Sequence, residues 1–551
     1  MATSVKMPPT LLSPSRAIGA GRVAAVLAAL LLAAILFQIL GNAYGSEFGG
    51  YPDESAHFIT GLMIRDYVAS GFHQGPVRYA ESYYLHYPKV AFGMWGPLLH
   101  FTEAGWMLVF PPSRITVLVL MALITALTAF FLYGALKDDV GTPLALLAAI
   151  MFIAVPNVQT YGAMVMSDGL VALMDFLAAM AFARYLDTEN WKYSALFGVF
   201  VTLSVLTKGN GVALVFLPLF AMVFARKLRL LKLGSLWVSA IPVILVAAPW
   251  QIYSMKMLAG IADRQPGWSF LPKLTVMVVA VLGVALIPLI AIGVYDKLIV
   301  NRRTADGKWS AAAALICGFW LFHWLIPSVG PEPRYLIAVT PPMLMFLMAG
   351  VERLARWIPK PAVYSHRVLA VAAAMVILFA ATGFSIPRQQ HHGFDEIAQL
   401  VEQPEYKNSA ILVASEGDGE GMLIDEVAMR EARPSHFVLR ASKMLGQSDW
   451  MGNHFVPKYR TPEEVMKFVD SIPVELVVVD NEPGLTAPSY YPLLKQTIAA
   501  YPSLWERAGT YPQAHGAGPT IDVYRLKSAA GRTPGKIRID MPFTLGRSIE
   551  H

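Results

Sequence analysis

From Val23 to Leu40 the chain runs 18 residues without a charge, which is within the length a membrane-spanning helix needs. Arg22 precedes the run, and Lys6 and Arg16 lie further upstream in a stretch poor in acids. The apolar core of a cleaved leader is about 7–15 residues long. This run is longer, so it is expected to be a retained first span that starts in the cytoplasm. The rest of the chain agrees: 55% of its residues are hydrophobic and 15% charged, against about 25% charged in soluble domains.

Further apolar runs follow at about 114–136, 143–156, 168–186, 193–207, 211–225, 233–254, 273–300, 310–327, 335–351 and 367–386. The run 91–110 is different, because it holds His100 and Glu103 and is broken at Gly96-Pro97. If it does not span, four loops fall on the cytoplasmic side: Lys137–Asp139, Asp187–Lys192, Arg226–Lys232 and Asn301–Lys308. Arg353, Arg356, Lys360 and Arg367 then fall inside as well. Cytoplasmic loops carry an excess of Lys and Arg, so 91–110 is read as an interfacial or re-entrant segment. The expectation is a polytopic α-helical membrane protein of about 11 spans, located in the inner (plasma) membrane. The net charge of +6 then records cytoplasmic loops, and no nucleic-acid partner is inferred. The single cysteine, Cys317, excludes an internal disulfide.

Residues 1–386 are read as the membrane domain, with a large first outer loop at 41–113, and 387–551 as an extracytoplasmic α/β domain. In the latter, strands are expected at 410–415, 435–440, 475–480, 505–511 and 520–526, and helices at 419–432, 462–471 and 488–501. That alternation predicts a small, mostly parallel α/β domain, with a loosely held polar tail from about Lys527. The glycine-rich turn Glu416–Gly421 opens a helix. Its spacing and its three acids favour a tight turn over a phosphate cradle.

Span parity places the notable polar groups on one side. Asp53, Glu54, His57, Glu81, His86 and Lys89 lie in the first outer loop. Asp168 opens a span, Lys208 sits at an outer hairpin tip, and Glu332, Arg334 and Tyr335 lie in another outer loop near His323. Asp53 and Glu54 also suit the first turn of a helix. Asp53 and His57 are four residues apart, on one helical face, but no third ligand at standard metal spacing follows them. Lys89 and Arg334 have a second reading as snorkelling interfacial cations. Tyr83, Tyr84, Tyr87 and Trp95 read as an aromatic belt, and His323 as a hydrogen-bonded interior histidine. Asp175 is an acid inside a span and so a functional candidate by default; a hydrogen bond to a neighbouring helix is the alternative.

Such a constellation suits sugar transfer from a lipid phosphate. A carboxylate can take the acceptor's proton, and cations can hold the charge that develops on the leaving phosphate. Several motifs occur in order over residues 20 to about 350: Asp53-Glu54 after span one, Tyr87-Pro88-Lys89 followed by Pro97, Ser167-Asp168-Gly169, Leu206-Thr207-Lys208-Gly209, and Pro333-Arg334-Tyr335-Leu336 with Pro341-Pro342 downstream. In this the chain resembles the GT-C class of membrane glycosyltransferases. It is most similar to glycosyltransferase family 39, which holds the protein O-mannosyltransferases and the lipid A aminoarabinose transferase.

The resemblance implies a hexosyl or pentosyl transferase that inverts the anomeric carbon by single displacement. The donor would be a polyprenyl-phosphate sugar in the membrane lipid, and the acceptor a hydroxyl of a lipid, glycan or protein. It implies Asp53 and Glu54 as the catalytic pair, with Asp53 as base or as its main electrostatic partner. Lys89 and Arg334 would be lipid-phosphate contacts, with Lys208 a further candidate. His57, Glu81, His86, Tyr335 and Asp168 complete the expected substrate-binding set. Relatives often place an acid directly before the lysine and a proline after it. Here Pro88 precedes Lys89 and Val90 follows, with His86 or Glu81 left to replace that acid. A divalent metal stays open. A secondary transporter using Asp175, although no internal repeat is evident, and a non-enzymatic membrane scaffold are the competing classes.

Overall fold

A computed structural model of the chain describes residues 19–91, 93–258, 264–301, 306–327, 330–359, 363–447, 455–482, 490–513, 518–541 and 545–550. It opens with α1 (Ala20–Leu40), followed by the short helices α2 (Pro52–Ala69), α3 (Pro76–His86) and α4 (Leu98–Val109). Then come α5 (Arg114–Val140), α6 (Thr142–Ala154), α7 (Pro156–Gly162), α8 (Asp168–Thr188) and α9 (Trp191–Thr207).

Among the described residues, six helices are long and apolar enough to cross a membrane, or eight if each of two bent pairs forms one span. The shorter apolar helices Trp191–Thr207 and Gly209–Ala225, together with Gly307–Leu325, account for the other apolar runs seen in the sequence. One bent pair, α6 and α7, breaks by 60° at Pro156, which cannot continue the amide ladder of the preceding turn. The other breaks by 91° at Gly283, whose φ of +82° suits glycine. At a buried crossing, Gly293 and Gly350 let two helices close together. A Cβ on either would lie within 2 Å of a carbonyl oxygen of the other helix (1.8 and 1.9 Å), the packing of small residues usual between membrane helices.

The segment 91–110 contributes only α4, 12 residues long, which is too short to span. It packs against α2.

Beyond the last apolar helix, Tyr364–Thr382, the chain forms an α/β domain. Its main sheet holds β1 (Ala410–Ala414), β2 (Phe437–Arg440), β5 (Val474–Asp480), β6 (Trp505–Pro512) and β7 (Thr520–Leu526) in the order β2-β1-β5-β7-β6. β1 runs parallel to β2 and β5, whereas β7 pairs antiparallel with β5 and β6. The sheet is therefore mixed, with an antiparallel half that the alternating pattern did not show. β1 and β5 are buried along their whole length, as strands covered on both faces must be. A small hairpin joins β3 (Gly446–Gln447) and β4 (Val456–Pro457).

The tail departs from expectation. β8 (Arg538–Met541) and β9 (Arg547–Glu550) form an antiparallel hairpin. Ile537, Ile539 and Ile549 are buried, so a two-residue apolar period holds a stretch that reads as polar.

Candidate active site

Pro52 starts α2 at a position where its missing N–H is no loss, and Asp53 follows in the first turn. Arg334 reaches it from a short helical turn, Pro333–Val339, which Asn157 on α7 holds by donating to the Pro333 carbonyl at 3.1 Å. Arg334 Nη1 donates to Asp53 Oδ2 at 3.2 Å, and Nη2 donates to Tyr51 Oη at 3.2 Å and to Glu332 Oε1 at 3.0 Å. Its Nε lies 2.7 Å from Glu332 Oε2. Tyr51 in turn donates to Glu332 Oε2 at 3.0 Å. The guanidinium stacks 4.2 Å from the Tyr51 ring centroid.

Beside it, Lys208 Nζ bonds Asp168 Oδ1 at 2.7 Å and lies 5.4 Å from the Tyr335 ring centroid. Asp168 and Arg334 are 2% and 7% exposed, so their charges interact in a poorly screened environment. Burial pushes the Asp53 carboxyl above the usual carboxylate range, against the smaller opposing pull of Arg334 and Lys208. A small cavity lies next to this cluster, lined in part by Asp168, Asp175, Asn210, Arg334 and Tyr335. Asp168 Oδ2 is buried there with no hydrogen-bond partner. Asp175 also lines it and accepts from Ser204 Oγ on α9 at 2.5 Å, so it does bond a neighbouring helix.

Of the residues singled out in the sequence, Asp53, Asp168, Lys208, Arg334 and Tyr335 therefore come together from four separate chain segments. The others do not join them directly. Glu54 turns inward: its oxygens accept from Val165 N at 2.9 Å and Gly50 N at 3.2 Å, and burial pushes its carboxyl up to about 8. It fastens loops and makes no contact with the Arg334 guanidinium.

His57 is buried against His100, with 3.0 Å between Nδ1 and Nε2, and against the Trp95 ring at 4.6 Å. Glu81 pairs with Arg547 of the tail hairpin. His86 Nδ1 contacts the His436 carbonyl at 2.9 Å and its ring stacks on Phe437. Glu81 and His86 thus face the α/β domain, because α3 packs beside β2. The expected aromatic belt is overturned for the same reason: Tyr83, Tyr84 and Tyr87 are buried, Tyr83 donating to Asp66 at 2.9 Å and Tyr87 to Glu431. His323 Nδ1 contacts the Phe319 carbonyl at 2.9 Å, as an interior histidine would.

Lys89 is displaced from its expected place. Its ammonium donates to the Pro52 carbonyl at 3.2 Å and to the Gly417 carbonyl of the α/β domain at 2.9 Å. Burial pushes its pKa down to about 8. Tyr51 and Glu332 are the site residues that sequence reasoning gave no role. Their signal was adjacency: Tyr51 precedes Pro52-Asp53, and Glu332 precedes Pro333-Arg334. Among the described residues, no group of three or more His, Cys, Asp or Glu side chains is arranged to hold a metal ion.

Residues 95–253 match the family described as dolichyl-phosphate-mannose-protein mannosyltransferase. The crystal structure of ArnT from Cupriavidus metallidurans in the apo state is similar over 93% of this chain and 99% of that one, with a TM-score of 0.57 at 14% identity. The same protein bound to undecaprenyl phosphate gives a TM-score of 0.50 at 14% identity, over 93% of this chain and 100% of that one. The oligosaccharyltransferase of Archaeoglobus fulgidus, in complex with Zn and sulfate, gives 0.51 at 13% identity, over 89% of this chain and 73% of that one. No curated protein matches the chain. The chain is a multi-pass membrane protein with the GT-C glycosyltransferase fold.

Proposed function

We propose that this protein moves a hexosyl or pentosyl unit from a polyprenyl-phosphate donor to a hydroxyl of a lipid, glycan or protein on the outer face of the inner membrane. Asp53 takes the proton of the acceptor hydroxyl. The acceptor oxygen attacks the anomeric carbon from the side opposite the phosphate. The carbon–oxygen bond to the phosphate breaks, its electron pair leaves with the lipid phosphate, and the configuration inverts. Arg334 and Lys208 hold the charge that grows on the leaving oxygen, which favours the transition state over the ground state. Tyr51 and Glu332 orient the guanidinium, and Asp168 orients the ammonium.

One observation carries the reading: the Asp53 carboxylate bonds Arg334 within a buried cluster that also holds Lys208. The likeness to a protein crystallised with undecaprenyl phosphate supports the donor class. The positive-inside pattern supports the outward placement of the site.

The test is reconstitution of the purified protein in lipid nanodiscs with a panel of polyprenyl-phosphate sugars and extracted envelope acceptors. Release of free polyprenyl phosphate and a mass gain on the acceptor are expected. A wild-type protein that releases none with any donor would overturn the reading.

A further inference from the structure

The α/β domain is fastened to the membrane domain through buried polar contacts that surround the first turn of α2. Ser55, two residues beyond Asp53, donates to Asp425 Oδ1 at 2.8 Å and to the Gly421 carbonyl at 3.1 Å. Both partners lie on the helix Gly417–Arg430. Arg114 pairs with Glu426 at 2.9 Å, and Glu47 accepts from the Phe394 and Asp395 amides. Glycine permits the contact: a Cβ at Gly421 would lie 2.8 Å from Ser55 Cβ and 3.2 Å from Lys89 Cε. A Cβ at Gly419 would lie 2.1 Å from Ser415 Oγ, within the α/β domain itself. The glycine-rich turn is thus shaped for close approach of the two domains.

Lys89 is the link in this set that touches the peptide unit next to Asp53. It is 4% exposed and bridges the Pro52 and Gly417 carbonyls. We propose that Lys89 is a positioning residue for the proposed transfer: through it the α/β domain sets the placement of Pro52, and so of the Asp53 carboxylate against Arg334. The inference rests on the transferase reading and assigns the α/β domain a part in it. A general base misplaced by about 1 Å loses on the order of 100-fold in rate, whereas the phosphate contacts of Arg334 and Lys208 do not depend on this bridge.

The test uses full-length protein in nanodiscs and compares wild type with Lys89→Met and Gly421→Ala. Three quantities are read: the turnover number, the KM for the polyprenyl-phosphate sugar, and the affinity for polyprenyl phosphate itself. Both variants are expected to lower turnover about 10- to 100-fold while KM and affinity stay within about twofold. Gly421→Ala, in the α/β domain, leaves the Lys89 ammonium in place and keeps the question answerable if Lys89→Met does not fold. A Lys89→Met protein with normal turnover but weakened donor binding makes Lys89 a phosphate contact and overturns the inference. Unchanged kinetics in both variants overturn it as well. A wild type without turnover sinks the transferase reading first, and the two failures are thereby distinguished.

Discussion

Two clusters of buried charge share the first turn of α2, and they bind their cations differently. Around Asp53 the partners are other charges: Arg334 lies between Asp53 and Glu332, and Lys208 lies on Asp168. Lys89 instead makes its hydrogen bonds to backbone carbonyls from two domains, and Asp418, Glu420 and Asp425 act on it only through space. A cation held by carboxylates can exchange one anion for another, so an incoming phosphate can compete for it. An ammonium held by carbonyls cannot leave without parting the domains. The two lysines are therefore proposed to have different uses: Lys208 in the chemistry and Lys89 in positioning.

The sharpest way to break that contrast is to remove the base. Asp53→Asn keeps the shape of the side chain and loses its ability to take a proton. Turnover is expected to fall on the order of 10²–10⁴-fold, with polyprenyl-phosphate affinity retained. Equal transfer by the variant, measured as product mass, would show that the first cluster is structural too.

Arg334→Gln comes next, with an expected loss of about 10²–10³-fold in kcat/KM and a second signature. Arg334 lowers the Asp53 pKa, so its removal raises it. The carboxylate then ionises only at higher pH, and the acid limb of the pH–rate profile moves up. An unmoved limb in Arg334→Gln would separate the two residues.

These assignments differ in how far they could be read without coordinates. Asp53, Asp168, Lys208 and Arg334 lie near the ends of apolar runs, and the parity of the expected spans puts such ends on one side. Lys89 lies at such an end as well, but its partner Gly417 is 328 positions away, in a domain whose docking face leaves no periodic trace. The same docking hides Glu81, His86 and the buried tyrosines: Tyr83, Tyr84 and Tyr87 read as an aromatic belt, whereas α3 packs beside β2. Tyr51 and Glu332 were hidden for another reason. Each contacts the guanidinium it orients, and adjacency to Pro52-Asp53 or Pro333-Arg334 is a weak mark of such a role.

A smaller effect is expected at the domain contact. Ser55→Ala removes the bonds to Asp425 and the Gly421 carbonyl and leaves a buried carboxylate oxygen without its donor. A loss of about 1–3 kcal/mol in stability is expected, read as a lower melting temperature in detergent, while polyprenyl-phosphate affinity is unchanged. A variant as stable as wild type would mean that the two domains hold together without this link.

The gentlest probe of the same contact is pH. Glu47 caps the helix Phe394–Val401 of the α/β domain, accepting from the Phe394 amide at 3.2 Å and the Asp395 amide at 2.9 Å. Burial pushes its carboxyl from an ordinary 4.5 up to about 8, against the pull of those two amides. Between these values the folded chain keeps a proton that the unfolded chain has released, so stability falls as pH rises. The contribution is complete below the unfolded value and lost as pH passes through the folded one. Glu54, shifted in the same direction, adds a slope of the same sign. The melting temperature of the wild type should therefore decline from about pH 5 to about pH 9, and Glu47→Gln, which cannot ionise, should decline less steeply. Asp53, whose carboxyl burial also raises against the pull of Arg334 and Lys208, adds to the slope in the same direction. A profile as steep in Glu47→Gln as in wild type would take the pH dependence away from the domain contact.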